Sequence, residues 1–293
     1  MKKINLKDLQ QSRKTLTSRY QNQHQTTLLN NNERYVYLKS RMPATQTVCE
    51  KVLSELNEKK NITSLLDLGC GPGSATYAAL KQLPNLTTLH LIDQDNNYTY
   101  TFAKPYSFFQ QNFNNLSFTQ SYDLIIISYA LSECETPLIE KVLQQTYEYA
   151  NQYIVIIEPG TPFGYESFLT TRKFLIDQGA CITAPCPHES TCPLVDPDWC
   201  HFKIRLPRTK IHQQIKQGTQ SFEDESYIFG IFAKNQQLIT RTTRIIKKPI
   251  KNTGHIIFDL CSNKGLKRTI VSRKDNASYI KAKKYSWGDK FLI

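Results

Sequence analysis

The chain has 293 residues, 40% of them hydrophobic, and a formal net charge of +12 at pH 7. That length and apolar content support one large globular domain, or one domain with an appendage. No run approaches the roughly 18 consecutive apolar residues of a membrane span, and the opening "MKKINLKDLQQSRK" lacks the apolar stretch of a secretory signal.

Residues 1–60 are expected to form a basic helical N-terminal segment. The alternative for its first residues is an organelle-targeting peptide. Within "ERYVYLKSRMPATQTVCEKVLSELNEK" (33–59), Val48, Val52, Leu53 and Leu56 recur at helical spacing, and Pro43 suits a helix start. Arg41, just before it, either covers a ligand pocket or makes an ion pair at the helix start. Residues 61–183 change rhythm. "SLLDLGC" (64–70), "TTLHLID" (87–93), "YDLIIIS" (122–128) and "QYIVIIEP" (152–159) read as strands. "SATYAALKQL" (74–83), "PLIEKVLQQTYEYA" (137–150) and "YESFLTTRKFLIDQG" (165–179) read as helices. Short alternation of this kind predicts an α/β fold with a parallel sheet covered on both faces. Residues 184–240 hold a cysteine-rich loop, and "ESYIFGIFAK" (225–234) is expected to complete the sheet. Residues 241–293 are expected to form a basic β-rich appendage, with strands at "HIIFDLC" (255–261), "LKRTIVSR" (266–273) and "SYIKAKKYS" (278–286).

Charge is unevenly distributed. Residues 1–60 carry 12 basic against 5 acidic side chains, residues 61–199 carry 5 against 14, and residues 200–293 carry 20 against 6. An acidic middle between basic flanks is the footprint of a polyanion-binding protein, nucleic acid above all. A generally basic surface is the plainer alternative. Lys264, Lys267, Arg268, Arg273, Lys281, Lys283 and Lys284, with Arg205, Arg208 and Lys210, are the candidate phosphate contacts. Tyr285 and Trp287 either stack on a base or pack in a core.

"LLDLGCGPGSATYAAL" (65–80) is the sharpest local pattern. A buried strand ends at Leu68, and Gly69, Gly71 and Gly73 turn the chain into a helix. Glycines serve where φ is positive and where a ligand approaches the backbone. The helix start favours an anionic group. Asp93, at the end of the next strand, could accept both hydroxyls of a ribose. The string resembles motif I of class I S-adenosylmethionine-dependent methyltransferases. That resemblance implies a Rossmann-like fold and an S-adenosylmethionine site at Asp67, Gly69, Gly71, Gly73, Asp93 and Ser128. A dinucleotide-binding dehydrogenase and a ligand-free glycine turn are the alternatives. The N/D-P-P-Y/F string of amino-methylating enzymes is replaced by Ser128-Tyr129-Ala130, and no Pro-Cys nucleophile is present, so no catalytic residue is named. Glu158, ending a strand in "IIEPGTPFG", either orients a substrate or serves the turn.

"APCPHESTCPLVDPDWCHF" (184–202) spaces three thiols as Cys186-x5-Cys192-x7-Cys200. Without a secretory signal the eight cysteines should be reduced. Cys49, Cys70 and Cys134 lie in apolar surroundings and read as small hydrophobes. Thiolates in a proline-stiffened loop select zinc or iron–sulfur. The gaps are wider than zinc-ribbon knuckles, and no C-x3-C-x2-C site for radical chemistry is present. Cys181, Cys261, His188 and His201 are candidates for a fourth ligand.

Together, "YLKSRMPAT" (37–45), "DLGCGPG" (67–73), "YDLIIISYALSE" (122–133), "IIEPGTPFGY" (156–165), the cysteine loop, "EDESY" (223–227), "FDLCSNKG" (258–265) and "KAKKYSWGD" (281–289) resemble a family of small-ribosomal-subunit assembly proteins. It comprises methyltransferase-like protein seventeen, yeast Rsm-twenty-two and bacterial relatives. The resemblance implies a 4Fe–4S cluster on Cys186, Cys192, Cys200 and Cys261. It also implies binding to small-subunit rRNA in a precursor particle. A monomeric bacterial cytoplasmic protein is expected, or a mitochondrial matrix protein if the source is eukaryotic. Two function classes follow: an rRNA methyltransferase with a structural cluster, or zinc in its place, and an assembly factor that binds rRNA and catalyses nothing.

Overall fold

The computed structural model describes residues 5–21, 28, 30–234 and 241–293. The first four residues of the expected N-terminal segment lie outside the described residues, as do 22–27 and 29, and 235–240 of the cysteine-rich segment. Two compact units divide the chain. One holds Met1–Ser117, Ile126–Cys134 and Ile204–Glu225; the other holds Phe118–Ile125, Glu135–Lys203 and Ser226–Ile293.

Helices α1 (Leu6–Gln21), α2 (Asn31–Val36) and α3 (Met42–Leu53) come first, with a wide π turn at Tyr37–Arg41 joining the last two. Asn30 caps α2 by accepting the Glu33 backbone N–H. The sequence reading starts one helix at Pro43, where α3 has proline in its first turn; α2 and the π turn extend it backwards. Then follow β1 (Ser64–Leu68), α4 (Ser74–Gln82), β2 (Thr88–Asp93), β3 (Ser107–Gln110), β4 (Tyr122–Ser128), α5 (Thr136–Tyr149), β5 (Ala150–Pro159), α6 (Pro162–Asp177) and β6 (Cys181–Ala184). After the cysteine loop come β7 (Phe202–Pro207), α7 (Lys210–Lys216) and β8 (Phe222–Ala233). The main sheet runs β3-β2-β1-β4-β5-β8-β6, with β7 beside β8. β1, β2 and β3 are parallel, while β8 runs antiparallel to β5 and to β6. Ile125–Ile127 and Tyr153–Ile157 are fully buried, as continuous apolar runs in a sheet covered on both faces should be.

The second unit also holds a small antiparallel sheet. β11 (His255–Ser262) pairs with β10 (Ile250–Asn252), with β12 (Gly265–Ser272) and with β9 (Arg244–Ile245). Ile256, Phe258 and Leu260 alternate into its core with Ile245, Val271 and Phe291. The period of two therefore turns Cys261 to the opposite face. The expected strand at 278–286 is instead helix α8 (Asn276–Ala282). Asp275 accepts the Ser278 N–H as a cap, and Tyr279 and Ala282, three apart, are buried together. The alternation of lysine with small residues imitates a strand, but the cap and the i, i+3 pair determine a helix.

Candidate functional site

The glycine turn lies in the first unit. Gly69, Gly71 and Gly73 have φ of +68°, +49° and +83°. A Cβ on Gly69 would sit 2.8 Å from Ala130 Cβ, and one on Gly73 2.8 Å from Phe102 Cζ, so both positions also require the missing side chain. Nothing lies within 4 Å of the corresponding point on Gly71, which is the open position of the turn. The Gly69 and Cys70 amides donate to the Ile92 carbonyl at 2.8 and 3.1 Å, tying the turn to β2. Tyr100 Oη donates to the Gly71 carbonyl at 2.8 Å.

Asp93 is placed beside the turn. Its Oδ2 accepts the Gly71 N–H at 2.7 Å and its Oδ1 the Asp95 N–H at 2.8 Å. Each oxygen keeps a second lone pair for a ligand hydroxyl. Burial raises its pKa, opposed by those backbone bonds. Asp67 is fully buried: Oδ2 accepts the Thr76 N–H at 3.1 Å and the Thr76 hydroxyl at 2.7 Å, and Oδ1 has no hydrogen-bond partner among the described residues. Burial pushes its carboxyl up to about 7. Asp67 thus locks the first turn of α4 to β1, a role the motif reading did not distinguish from ligand contact. Ser128, at the end of β4, hydrogen-bonds the Cys49 thiol of α3.

Arg41 makes an ion pair, though not at its own helix. Its Nη1 lies 2.6 Å from Glu225 Oε1, and its guanidinium sits 5.0 Å from the Tyr129 ring centre. Tyr129 holds a φ of +57°, unusual for a residue with a side chain. Glu158 is buried in β5, opposite Ile228 of β8.

The thiol site lies in the second unit. Cys186, Cys192, Cys200 and Cys261 line one cavity with His188 and Arg172. Tyr165 Oη donates to Cys192 Sγ at 3.1 Å, and Cys261 Sγ lies 3.6 Å from His188 Nε2. Arg172 of α6 donates to the carbonyls of His188 and Ser190 at 2.7 and 2.9 Å, and Trp199 Nε1 donates to the Gly160 carbonyl at 3.1 Å, so the loop is pinned to α6 and to the end of β5. Burial raises the Cys186 pKa, opposed by Arg172. Burial and then the neighbouring thiols push Cys261 up to about 12 and Cys200 well above the usual thiol range. Among the described residues no group of three or more His, Cys, Asp or Glu side chains is drawn together as ligands of a metal ion. Of the other candidates, Cys181 lies beside Glu189 and Arg241, and His201 packs against Trp199 and Trp287. Sequence reasoning missed Tyr165 and Arg172. The only signal was a lone arginine within the apolar helix "FLTTRKFL".

Several expected phosphate contacts are already engaged. Arg205 pairs through two nitrogens with Asp224, and Arg268 likewise with Asp259. Arg208 is held with Lys216 and His212 around the buried Glu223. Lys210, Lys264, Lys267, Arg273, Lys281 and Lys284 are exposed. Tyr285 packs on Phe258 and Phe291, and Trp287 on His201, with Lys203 Nζ 5.4 Å above its ring. No helix among the described residues is long and apolar enough to cross a membrane.

The family described as "Mitochondrial small ribosomal subunit Rsm22" matches residues 31–292. The Rsm22-cox11 tandem protein 2, mitochondrial, of Schizosaccharomyces pombe is 25% identical over 88% of this chain and 43% of its own length. The human ribosome assembly protein METTL17, mitochondrial, is 22% identical over 87% of this chain and 61% of its own. The chain therefore spans roughly half the length of these relatives. Among solved structures, a plantazolicin methyltransferase bound to S-adenosylhomocysteine overlays with a TM-score of 0.47 and 16% identity, covering 79% of this chain and 98% of that one.

Proposed function

The chain belongs to the Rsm22 family, and we propose that it acts in small-ribosomal-subunit assembly as an rRNA-binding protein built on an S-adenosylmethionine-binding core. The observation that carries the cofactor reading is the left-handed Gly69–Gly71–Gly73 turn, open at Gly71 and flanked by Asp93 at the carboxyl ends of parallel strands. Gly71 and Asp93 would hold the cofactor, which supplies an electrophilic methyl group. Asp93 would accept ribose hydroxyls, and the turn would admit the cofactor's amino-acid end close to the backbone. Asp67 and Ser128 would fix the frame beneath it.

Four thiols lining one cavity suit a thiolate-bound centre. A single tetrahedral zinc needs its sulfurs within about 4 Å of one another, given Zn–S bonds of about 2.3 Å. The 4Fe–4S cluster is the occupant that the family resemblance implies, with zinc as the alternative. Cys186, Cys192 and Cys200 from the loop and Cys261 from β11 would hold it. It would clamp the loop to the small sheet and so orient the exposed lysines of β12 and α8 toward phosphates.

A second reading, an assembly factor without turnover, is favoured by one observation. The loop after β4 reads Ser128-Tyr129-Ala130, and the Tyr129 ring, where a methyl acceptor would stack, is covered by Arg41. Titration calorimetry with S-adenosylmethionine, then methyl transfer to immature small-subunit particles, separates the two. Binding with transfer supports the enzyme, and binding without transfer the assembly factor. No binding overturns the cofactor reading. Anaerobic purification tests the centre: about four iron and four sulfide per chain, lost in Cys261→Ala, support the cluster, while stoichiometric zinc without iron refutes it.

A further inference from the structure

Arg172 is out of keeping with its surroundings. It projects from the apolar helix α6 and is only 5% exposed. Its Nη2 donates to the carbonyls of His188 and Ser190, its Nε has no hydrogen-bond partner among the described residues, and it lines the same cavity as the Cys186 thiol. No carboxylate pairs with it among the described residues, and the segments outside them contain no acidic residue. Carbonyl dipoles satisfy the donors of a guanidinium but do not cancel its charge, and an uncompensated buried cation is expensive. Arginine cannot escape by losing its proton. The ionisable groups that share its cavity are the thiols of Cys186, Cys192, Cys200 and Cys261, the Tyr165 phenol, the imidazole of His188 and a second guanidinium, Arg244. The imidazole cannot supply negative charge.

We infer that Arg172 is a resident counter-cation of the thiol cavity, one that, with Arg244 in the same lining, makes it a site for an anionic thiolate-bound centre and tunes how readily that centre accepts an electron. The inference rests on the proposed thiolate site. Four thiolates outweigh the positive charge of zinc or of an oxidised four-iron core, so either occupant leaves the cavity negative. A guanidinium in the same cavity stabilises that charge, and stabilises the further negative charge of a reduced core more strongly. Hydrogen bonds to cluster sulfurs act in the same direction. Its Nη2 holds both loop carbonyls, and so keeps the charge in the cavity that the Cys186 sulfur lines. Arg172 is therefore a positioning residue: its charge acts through the ligand sulfurs.

The test uses the full chain, reconstituted anaerobically, as wild type, Arg172→Gln and Arg172→Lys. Iron, sulfide and zinc are counted, and the midpoint potential is measured by mediated titration. A purely structural role of the loop bonds would lower occupancy and leave the potential of the loaded fraction unchanged. Loss of the charge should weaken one-electron reduction at least tenfold, a downward shift of about 59 mV, with most of it recovered in Arg172→Lys. A loaded Arg172→Gln at the wild-type potential overturns the inference. If Arg172→Gln does not fold, Arg172→Lys decides. A potential close to wild type despite the lost bonds supports charge as the cause; a tenfold or greater loss overturns it. If the wild type carries zinc, chelator competition replaces the potential. Tenfold weaker retention in Arg172→Gln than in Arg172→Lys upholds the inference, and equal retention defeats it. A wild type that retains neither metal overturns the thiolate site itself, and the inference with it.

Discussion

Asp67→Asn should flatten a pH dependence of stability that runs opposite to ordinary carboxylates. Asp67 is wholly buried, and its carboxyl titrates at about 7 in the folded chain against an ordinary value of 3.8. Between those values the folded state keeps a proton that the unfolded chain has released. Stability from this group is therefore greatest at low pH, falls as pH rises from about 4 to about 7, and levels off above. Three units at about 1.36 kcal/mol each give about 4 kcal/mol in total, of which about 2.5 kcal/mol falls between pH 5 and 8. Asparagine removes the titration and keeps the geometry, because its carbonyl can accept both Thr76 bonds and its amide takes the place of the unpartnered oxygen. Urea unfolding of both proteins at several pH values from 5 to 8 measures the difference directly. The gap between Asp67→Asn and wild type should widen in favour of the variant as pH rises. Parallel profiles would refute the reasoning, since Asp67 would then be ionised throughout and burial would not dominate. Thr76→Val offers a check on cause: both Thr76 bonds lower the Asp67 pKa, so removing the hydroxyl should extend the fall to higher pH and deepen it.

Glu223 should behave in the opposite sense. Burial disfavours its charge, but bonds from His212, Lys216 and Arg208 outweigh that and hold its carboxyl far below the usual range. Its stabilisation is present above about pH 4.5 and is lost as pH falls; Glu223→Gln should cost about 3 kcal/mol at pH 7 by leaving Arg208 and Lys216 without an anion, read from chemical unfolding. Gly73→Ala should cost about 2 kcal/mol from its φ of +83° alone. It should also weaken S-adenosylmethionine binding at least tenfold by calorimetry, because its Cβ meets Phe102 and the turn must shift. Lys267→Gln and Lys281→Gln should each reduce the slope of log affinity for small-subunit rRNA against log salt by about 1, measured by filter binding.

The architecture was legible where one period persists. The buried runs of β1, β4 and β5 are apolar but for Asp67 and Glu158, and α4, α5 and α6 follow these three strands as expected. Short elements escaped: β3, β6, β7, β9, β10 and α7 have too few residues to display a clear period. Helix α8 was misread because its decisive feature is a cap, Asp275, and not its hydrophobic pattern. At the glycine turn, residue types announced the backbone geometry but not the division of labour. Asp67 and Asp93 look equivalent on paper, yet one is sealed beneath the turn and the other lies against its open glycine. The cavity around the thiols was legible only in its cysteines. Arg172 gives no sign in sequence that the carbonyls it needs come from a loop 16 residues onward.

Charge shows the same limit more sharply, and with a consequence for rRNA binding. The basic excess of residues 200–293 suggests a broad cationic surface. The structure removes three of its arginines from that role: Arg205 and Arg268 are each held by an aspartate, and Arg208 by a buried glutamate. Arginine is the residue that binds carboxylates through two parallel bonds, so the few acids of this segment engage three of its guanidinium groups, and the other exposed cations are mostly lysines, with Arg273 beside them. Lysine meets phosphate as a point charge without a fixed fork. A surface of this kind should follow the RNA backbone and depend strongly on salt, while reading little sequence through its cations. Under the proposed rRNA binding, selectivity for one site must then come from shape, or from an aromatic contact such as the half-exposed Trp287 beside Lys203. Trp287→Leu separates these sources: if Trp287 contributes selectivity, the variant binds small-subunit and unrelated structured RNA with equal affinity at a given salt concentration, and if shape alone decides, the wild-type preference survives.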